Sequence, residues 1–339
     1  MSPRPILSPA LLGGLLVAVV TLALPQLLSD WQLTIYVFIG LYAIVTAGLS
    51  LLMGFAGQVS LGQAAFYAIG AYAAALLSVS GVPPIVGLAA APLVSAAIAA
   101  LIGVPLLRLR GHYLAFGTLA FHLIVLAAIG EAKSLTGGDV GLSGIPLLGI
   151  GPFELTTPLE YAYLTWVAVA VVFLLTRNLI DSRPGRALRA LATSEAGAAA
   201  TGVAVSAYKI KVFALSAGYA GLAGGIYGFF LSYISPGSFP ILLSIQFLVM
   251  AAVGGLGAVW GSLVGAATIT VLVQFLQQVG SQPGMPAHAP AVLSYAVYAL
   301  VLIVVMLLLP AGLLPTLGAW VRRWRPDEAR GSLPAQEVR

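Results

Sequence analysis

Few residues in this sequence are of the types that carry chemistry. The chain contains no cysteine and three histidines, and only 7% of its residues are charged. Without cysteine it has no disulfide, no thiolate metal site and no thiol nucleophile. Its apolar stretches also lack paired carboxylates, clustered metal ligands and any Ser/His/Asp set. The sequence therefore predicts no enzymatic activity and no cofactor of its own, which argues against an integral-membrane enzyme.

Within the apolar stretches the ionisable residue is His122, and His112 stands near the start of the same stretch. Proton-driven carriers, voltage sensors and many cation channels keep ionisable groups at membrane depth. For His122 we favour a histidine bonded to a neighbouring helix over a proton relay. No glycine loop ends in Gly-Lys-Ser/Thr, so the chain has no P-loop. We therefore expect the energy for any pumping to come from outside this subunit.

Segment 54–63 is the most unusual stretch, because it places three glycines, two glutamines and one serine between two apolar runs. Unwound backbone survives at membrane depth only where it lines a cavity or is buried in protein. The positive end of an interrupted helix could hold a carboxylate there. The alternative is a cytoplasmic turn between two spans, and both stay open. A second glycine break at 254–257 is consistent with two structural repeats around a central site.

Candidate residues for a substrate pathway are small, polar or aromatic residues of this segment and of the span that follows residue 112. They are Gly57, Gln58, Ser60, Gln63, Tyr113 and Thr118.

Glycines spaced by four residues form small stripes that let membrane helices approach closely. We assign them to helix packing rather than to substrate contact. They are Gly221 and Gly225, and further along Gly257, Gly261 and Gly265.

These residues belong to a chain of 339 residues that is 60% hydrophobic. A soluble domain is about 25% charged, so this chain cannot cover a soluble surface with polar groups. A membrane span needs about 20 apolar residues, and the uncharged stretches 31–107 and 212–321 each hold several. The sequence predicts an all-α, polytopic integral membrane protein with about ten transmembrane helices. We place them near 10–28, 33–53, 61–80, 85–107, 113–130, 159–179, 210–232, 241–257, 259–279 and 291–309.

The charged loops predict an orientation, because positive charge collects on the cytoplasmic side. Basic residues near 4, 108–110, 177–211 and 322–325 fall on one side, and the acidic loop 131–160 falls on the other. Both termini are therefore predicted to be cytoplasmic, with the first span retained rather than cleaved. We expect a transmembrane permease domain at 1–320, with a cytoplasmic loop at 181–209, and a polar cytoplasmic tail at 321–339.

Loop 181–209 is the only long cytoplasmic segment predicted before the tail. From Arg186 to Gly202 its composition favours one short helix that stops at the glycine. Such a helix, lying along the membrane, suits docking onto a soluble partner. An amphipathic helix held by lipid headgroups is the alternative. The two helix faces carry Arg186, Arg189 and Thr193, and opposite them Leu188, Leu191 and Glu195.

Short motifs stand in a fixed order between residues 40 and 315, at 57–62, 110–115, 136–142, 182–190, 194–195, 202, 208–209, 213–217, 220–224, 253–257 and 261–266. Together they resemble the permease subunits of branched-chain amino acid ABC importers, in the LivM-like branch. The sequence departs from that family at Gln63, where histidine is usual, at His122-Leu123, where Gly-Glu is usual, and at 309–313. These changes bear on substrate preference, since urea permeases share the framework.

The resemblance implies a four-part core: this chain, a second, LivH-like permease and two cytoplasmic ABC ATPase subunits that bind ATP and Mg²⁺. A periplasmic binding protein would deliver branched-chain or other hydrophobic amino acids to this complex in the bacterial inner membrane. Glu195 would sit in the ATPase groove, and Arg186 and Arg189 would pair with acidic ATPase residues. The full set of coupling residues that the resemblance implies is Arg183, Gly185, Arg186, Arg189, Glu195 and Gly202. Alternatives are a urea or short-amide importer of the same architecture, or an ATP-independent channel or facilitator.

Overall fold

The computed structural model describes residues 23–280, apart from 110, 151 and 152, and a few separate positions between 292 and 316. In this part of the chain, seven helices are long and apolar enough to cross a membrane. The chain is therefore a polytopic helical membrane protein, as predicted. Most of the predicted first span, the tenth span except for single positions, both termini, Arg110 and the 321–339 tail lie outside the described residues. The orientation of the chain stays a prediction.

The helices are numbered here in chain order. They are α1 (Asp30–Ser50), α2 (Gln63–Val79), α3 (Pro84–Leu106), α4 (His112–Glu131), α5 (Pro158–Asp181), α6 (Arg183–Thr193), α7 (Glu195–Ala200), α8 (Val205–Leu231), α9 (Ile241–Gly254) and α10 (Val259–Gly280). A π-helix, Leu51–Phe55, continues α1. Single helical turns lie at Leu24–Leu27, Lys133–Thr136, Gly138–Val140 and Pro236–Ser238.

In the part of the chain that the structure describes, four two-residue strands belong to the connections between helices. β1 (Leu142–Ser143) pairs antiparallel with β4 (Tyr233–Ile234), and β2 (Gly149–Ile150) pairs antiparallel with β3 (Phe153–Glu154). The first pair ties the α4–α5 connection to the α8–α9 connection, with Leu142 opposite Ile234. Both connections are therefore fixed at the same end of the helices.

Each predicted span that falls within the described residues corresponds to a helix, from α1 for 33–53 to α10 for 259–279. The match is weakest at α2, which has 17 residues and is shorter than a typical span. The first two residues of the predicted span 61–80 belong to an unwound segment, 57–62, which forms part of the site described below.

The core forms around α8, whose span is 83% buried inside the protein. Its glycines allow this packing. A Cβ at Gly224 would collide with the carbonyl oxygen of Tyr67 on α2, and one at Gly225 would lie 2.9 Å from the Cβ of Ala91 on α3. Two membrane helices can approach this closely only over small residues. Gly221 likewise faces α3, where a Cβ would overlap the Ser95 side chain.

Helix α4 lies at the rim of this bundle, and its span is only 33% buried. Exposed apolar residues such as Phe116 and Ile124 follow its outer face. Its inner face carries two buried polar residues one turn apart, Thr118 and His122. The contacts of these two residues are part of the site.

Candidate translocation and coupling site

The site is built on the interruption between α1 and α2. The π-helix Leu51–Phe55 ends α1, and residues 57–62 then run without regular structure until α2 begins at Gln63. Gly57 has a φ of +64°, a left-handed value that favours glycine. A π-turn inside a helix is rare and is often found at functional sites.

The two glycine breaks noticed in the sequence contact each other. A Cβ at Gly54 would lie 2.5 Å from the Cα of Gly257 and 3.0 Å from the carbonyl carbon of Leu256. The backbone N–H of Gly257 also donates to Ser50 Oγ, with a nitrogen–oxygen distance of 3.2 Å. Backbone therefore packs on backbone where α1 ends and α9 turns into α10.

This contact revises the role assigned to Gly257. It has a φ of +83° and lies in the turn before α10, which begins at Val259. Gly257 therefore does not belong to a helix face with Gly261 and Gly265. Those two do lie on α10, and they pack against backbone atoms of Gly254 and Met250 on α9.

The far end of the interruption lies inside the bundle. The Gln63 side-chain amide donates from Nε2 to Ser216 Oγ over 3.0 Å. Ser216 is about 16 Å along α8 from Val205, at about 1.5 Å per residue. The Leu61 N–H donates to Thr118 Oγ1 on α4 over 2.9 Å. The interruption therefore starts beside α6 and reaches inside the bundle.

Side-chain amides in this interruption lack partners. Gln58 is 3% exposed, and in the described part of the chain neither its Oε1 nor its Nε2 has a hydrogen-bond partner. Gln63 is fully buried, and its Oε1 also has none. Each buried unsatisfied group costs about 1–3 kcal/mol. These three atoms are the polar atoms at the interruption that could bind a passing molecule or water.

The remaining predicted pathway residues divide into two groups. Ser60 Oγ accepts from the Gly62 N–H over 3.3 Å, and Thr118 Oγ1 donates to the Ala115 carbonyl over 2.8 Å. Tyr113 is 75% exposed and lies on α4 away from these groups. The structure therefore brings together Gly57, Gln58, Ser60, Gln63 and Thr118, and it leaves Tyr113 outside.

His122 and two serines extend the polar cluster. His122 is fully buried, with Nε2 lying 3.1 Å from the Phe239 carbonyl oxygen and Nδ1 lying 3.2 Å from Ser244 Oγ. Ser244 Oγ also accepts from the Ala64 N–H over 3.1 Å. The histidine is thus bonded to other elements, as favoured from the sequence. Ser216 and Ser244 were missed, because a single serine in an apolar helix carries no periodic pattern.

Loop 181–209 forms two helices, α6 and α7, rather than the single helix expected. Ser194 separates them with extended backbone, φ −160° and ψ 117°. Its hydroxyl accepts from the Gly197 N–H over 3.1 Å and so caps the start of α7. On α6, Leu188 and Leu191 are buried while Arg186 and Arg189 are exposed. The two faces of α6 are therefore those predicted, but Glu195 belongs to the next helix.

Several predicted coupling residues hold this loop in shape. A Cβ at Gly185 would lie 2.5 Å from the Leu179 carbonyl oxygen, so only glycine fits there. Arg189 Nη2 donates to the Ile180 carbonyl oxygen over 3.1 Å and satisfies the end of α5. Gly202 has a φ of +83° where α7 ends.

Arg183 and Arg186 are exposed, and among the described residues neither takes part in an ion pair. Their guanidinium groups are free to meet a partner at this surface. Glu195 differs from them, because its carboxylate forms an ion pair with Lys209 on α8. Lys209 is 8% exposed and Glu195 is half-buried. The Glu195 carboxylate therefore neutralises the buried ammonium group of Lys209, and it is also partly exposed at the protein surface.

The loop and the interruption are in direct contact. A Cβ at Gly57 would lie 3.6 Å from the Cα and 3.9 Å from the carbonyl oxygen of Ala192 on α6. The last turn of α6 therefore rests on the unwound backbone.

The described part of the chain is a bundle of apolar helices with an interrupted helix and an amphipathic surface loop, an arrangement that suits a membrane permease. The family model described as branched-chain amino acid transport system / permease component matches residues 32–306. This chain therefore belongs to that family of transport permeases.

Two relatives are 32% identical to this chain, over 277 and 282 residues. Both are called high-affinity branched-chain amino acid transport system permease protein LivM, one from Salmonella typhimurium and one from Escherichia coli. The matches cover 75% and 76% of this chain and 65% and 66% of the relatives. The chain thus spans slightly less than two thirds of their length. A solved structure, PsaBC from Streptococcus pneumoniae in complex with Fab, aligns with a TM-score of 0.47 and 16% identity, over 86% of this chain and 96% of that one.

Proposed function

We propose that this chain is the membrane-spanning subunit of an ATP-driven importer of branched-chain and other hydrophobic amino acids. Its family and the names of its relatives support the transport of branched-chain amino acids. The observation that carries ATP coupling is the contact of α6 with the unwound backbone at Gly57. A subunit without its own P-loop needs such a contact to receive work from a partner.

The partners of this proposal are a second, LivH-like permease, two cytoplasmic ABC ATPase subunits and a periplasmic substrate-binding protein, in the inner membrane of a bacterium. The ATPases bind ATP and Mg²⁺. The exposed guanidinium groups of Arg183 and Arg186 suit an acidic rim on an ATPase, because Arg–carboxylate pairs are strong and directional. Arg189, Gly185 and Gly202 keep α6 and α7 in position, and Glu195 joins the loop to α8.

The proposed pathway runs past the interruption at residues 57–62. Gln58 and Gln63 offer amide donors and acceptors without a formal charge. Such neutral groups suit a zwitterion that must bind briefly and be released. The substrate-binding protein already binds it, and tight binding at a second site in the membrane would slow the transport cycle. Tyr113 lies apart from them on the exposed side of α4. It lines the pathway only if a second permease packs against that side.

The test is uptake into vesicles that contain this chain with both ATPases and the second permease. We expect accumulation of radioactive leucine only when ATP and the binding protein are both supplied. Unlabelled isoleucine should compete and urea should not. Uptake that urea suppresses and isoleucine does not would favour the short-amide importer. Leucine equilibration without ATP would instead show a facilitator.

A further inference from the structure

His122 is a buried ionisable residue that the proposed pathway and the coupling loop do not use. We propose that it is a positioning residue, which fixes α4 against the starts of the two helices α2 and α9. The role of His122 in transport rests on the proposed function. Its position relative to α2 and α9 rests on hydrogen bonds alone.

The hydrogen-bond partners of His122 determine which of its ring nitrogens carries the proton. The Phe239 carbonyl oxygen can only accept, so His122 Nε2 carries the proton and donates over 3.1 Å. The described residues form no ion pair with the imidazole, and a charged ring without one is costly in an apolar interior. Nδ1 of the neutral ring is therefore an acceptor, and the Ser244 hydroxyl donates to it. Ser244 Oγ accepts in turn from the Ala64 N–H.

This chain of bonds joins three elements that the sequence keeps far apart. Ala64 is the second residue of α2, and Ser244 is the fourth residue of α9. Phe239 is fully buried in the connection just before α9. The His122 side chain on α4 therefore reaches the first turn of α9 directly, and it reaches the first turn of α2 through Ser244. The first N–H groups of a helix need acceptors from outside it, and Ser244 supplies one to α2.

Helix α4 packs on the bundle over one face only, where Phe121 lies against Phe66 of α2 with ring centroids 5.2 Å apart. Its span is only 33% buried, and its outer face is apolar and exposed. The Thr118 hydroxyl, one turn before His122, accepts from the Leu61 N–H in the interruption. A rim helix with few buried residues can shift without opening the packed core around α8. The polar contacts at Thr118 and His122 therefore set where α4 rests relative to the interruption.

The experiment compares variants of the complete transporter. Ser244→Ala and His122→Phe remove the link, whereas His122→Gln keeps a donor for the Phe239 carbonyl. Ser78→Ala is the matched control, because Ser78 is buried and its hydroxyl bonds only to the Ala74 carbonyl in its own helix, over 2.8 Å. We expect leucine uptake per ATP hydrolysed to fall about tenfold in the first two variants, which corresponds to the loss of a buried hydrogen bond. His122→Gln should recover part of that loss, and the control should match the parent.

A second measurement follows α4 itself and needs no transport. The chain has no cysteine, so Leu123→Cys on the exposed face of α4 gives a single labelling site. We expect maleimide to label the Leu123→Cys protein at one rate, and to label it at a different rate when Ser244→Ala is added. Adding Ser78→Ala instead should leave the labelling rate unchanged. Equal rates in all three proteins would overturn the proposal. So would a parallel loss of uptake and ATP hydrolysis together with a lower unfolding temperature, since that describes a purely structural residue.

The two proposals fail in different ways. If the parent complex does not accumulate leucine, the proposed function is wrong, and the labelling rates still decide the role of His122. If the parent accumulates leucine, the His122 variants match the control in uptake and Ser244→Ala leaves the labelling rate at position 123 unchanged, only the role of His122 is wrong.

Discussion

At the scale of single residues, Gly54 and Gly257 occupy positions that suit no residue type other than glycine. They lie where the two glycine breaks contact each other. Gly54 lies against the backbone of Gly257, and Gly257 adopts a positive φ in the turn before α10. Backbone atoms cannot move aside as a flexible side chain can. A methyl group at Gly54 must displace a helix end, whereas one at Gly257 meets no atom closer than 3.8 Å and is opposed by the positive φ.

Gly54→Ala should therefore destabilise the protein. Overpacking of a close interior contact costs about 1–3 kcal/mol, and we expect a lower midpoint of thermal unfolding in detergent. Gly228→Ala is the control, because a Cβ there meets its nearest atom, the Ala71 carbonyl oxygen, at 3.4 Å. That variant should unfold at the parental temperature or slightly above it, since alanine favours helix over glycine. Equal losses in both variants would contradict the close contact at Gly54.

The ion pair between Glu195 and Lys209 gives a second prediction at this scale. Glu195→Gln leaves a buried ammonium group without a counter-charge. Breaking a fully buried pair costs roughly 3–5 kcal/mol, and we expect about 1–2 kcal/mol here because Glu195 is half exposed. Protease cleavage within loop 181–209 should become faster. The double variant Glu195→Lys with Lys209→Glu should restore resistance, whereas resistance that survives Glu195→Gln would show that the pair does not hold the loop.

At the scale of elements, the surface loop shows why local composition was only partly sufficient. Residues 186–202 are rich in helix formers, and this composition predicted one helix. The Ser194 hydroxyl competes by capping a new helix, with Glu195 as its first residue. A serine followed by an acidic residue is a helix-start pattern that could have been recognised in the sequence. The buried face of α6, by contrast, followed directly from the spacing of Leu188 and Leu191.

The exposed face of α6 leads to a prediction about coupling. Arg186→Glu changes a side chain that has no ion pair among the described residues. Stability should therefore be unchanged, whereas ATP-dependent leucine uptake should fall about tenfold if this charge meets an acidic partner. Lys133→Glu is the control, an exposed charge reversal in the loop predicted to lie on the opposite side. A similar fall in both variants would point to a general effect of charge instead of docking.

At the scale of the whole molecule, the decisive contacts join residues about 200 positions apart. Hydropathy located the helices, because the length and composition of a span are local properties. The contact of Gly54 with Gly257 and the bond from Ala64 to Ser244 were not predictable in this way. Neither periodicity nor spacing records which helix ends meet. The sequence therefore indicated where the chain breaks, and the packing around α8 determined that the breaks lie together.

The joined breaks should behave as one energetic unit, which a double-mutant cycle can measure. Ser50→Ala removes the acceptor of the Gly257 N–H, and Gly257→Ala strains the turn that presents this donor. Once the turn is displaced, the loss of the hydroxyl should cost less, so the two changes should be non-additive by about 0.5–3 kcal/mol. Ser78→Ala combined with Gly257→Ala should be additive, because Ser78 bonds only within its own helix. Additivity in both cycles, measured by thermal unfolding, would mean that the two breaks are in contact but are not energetically coupled.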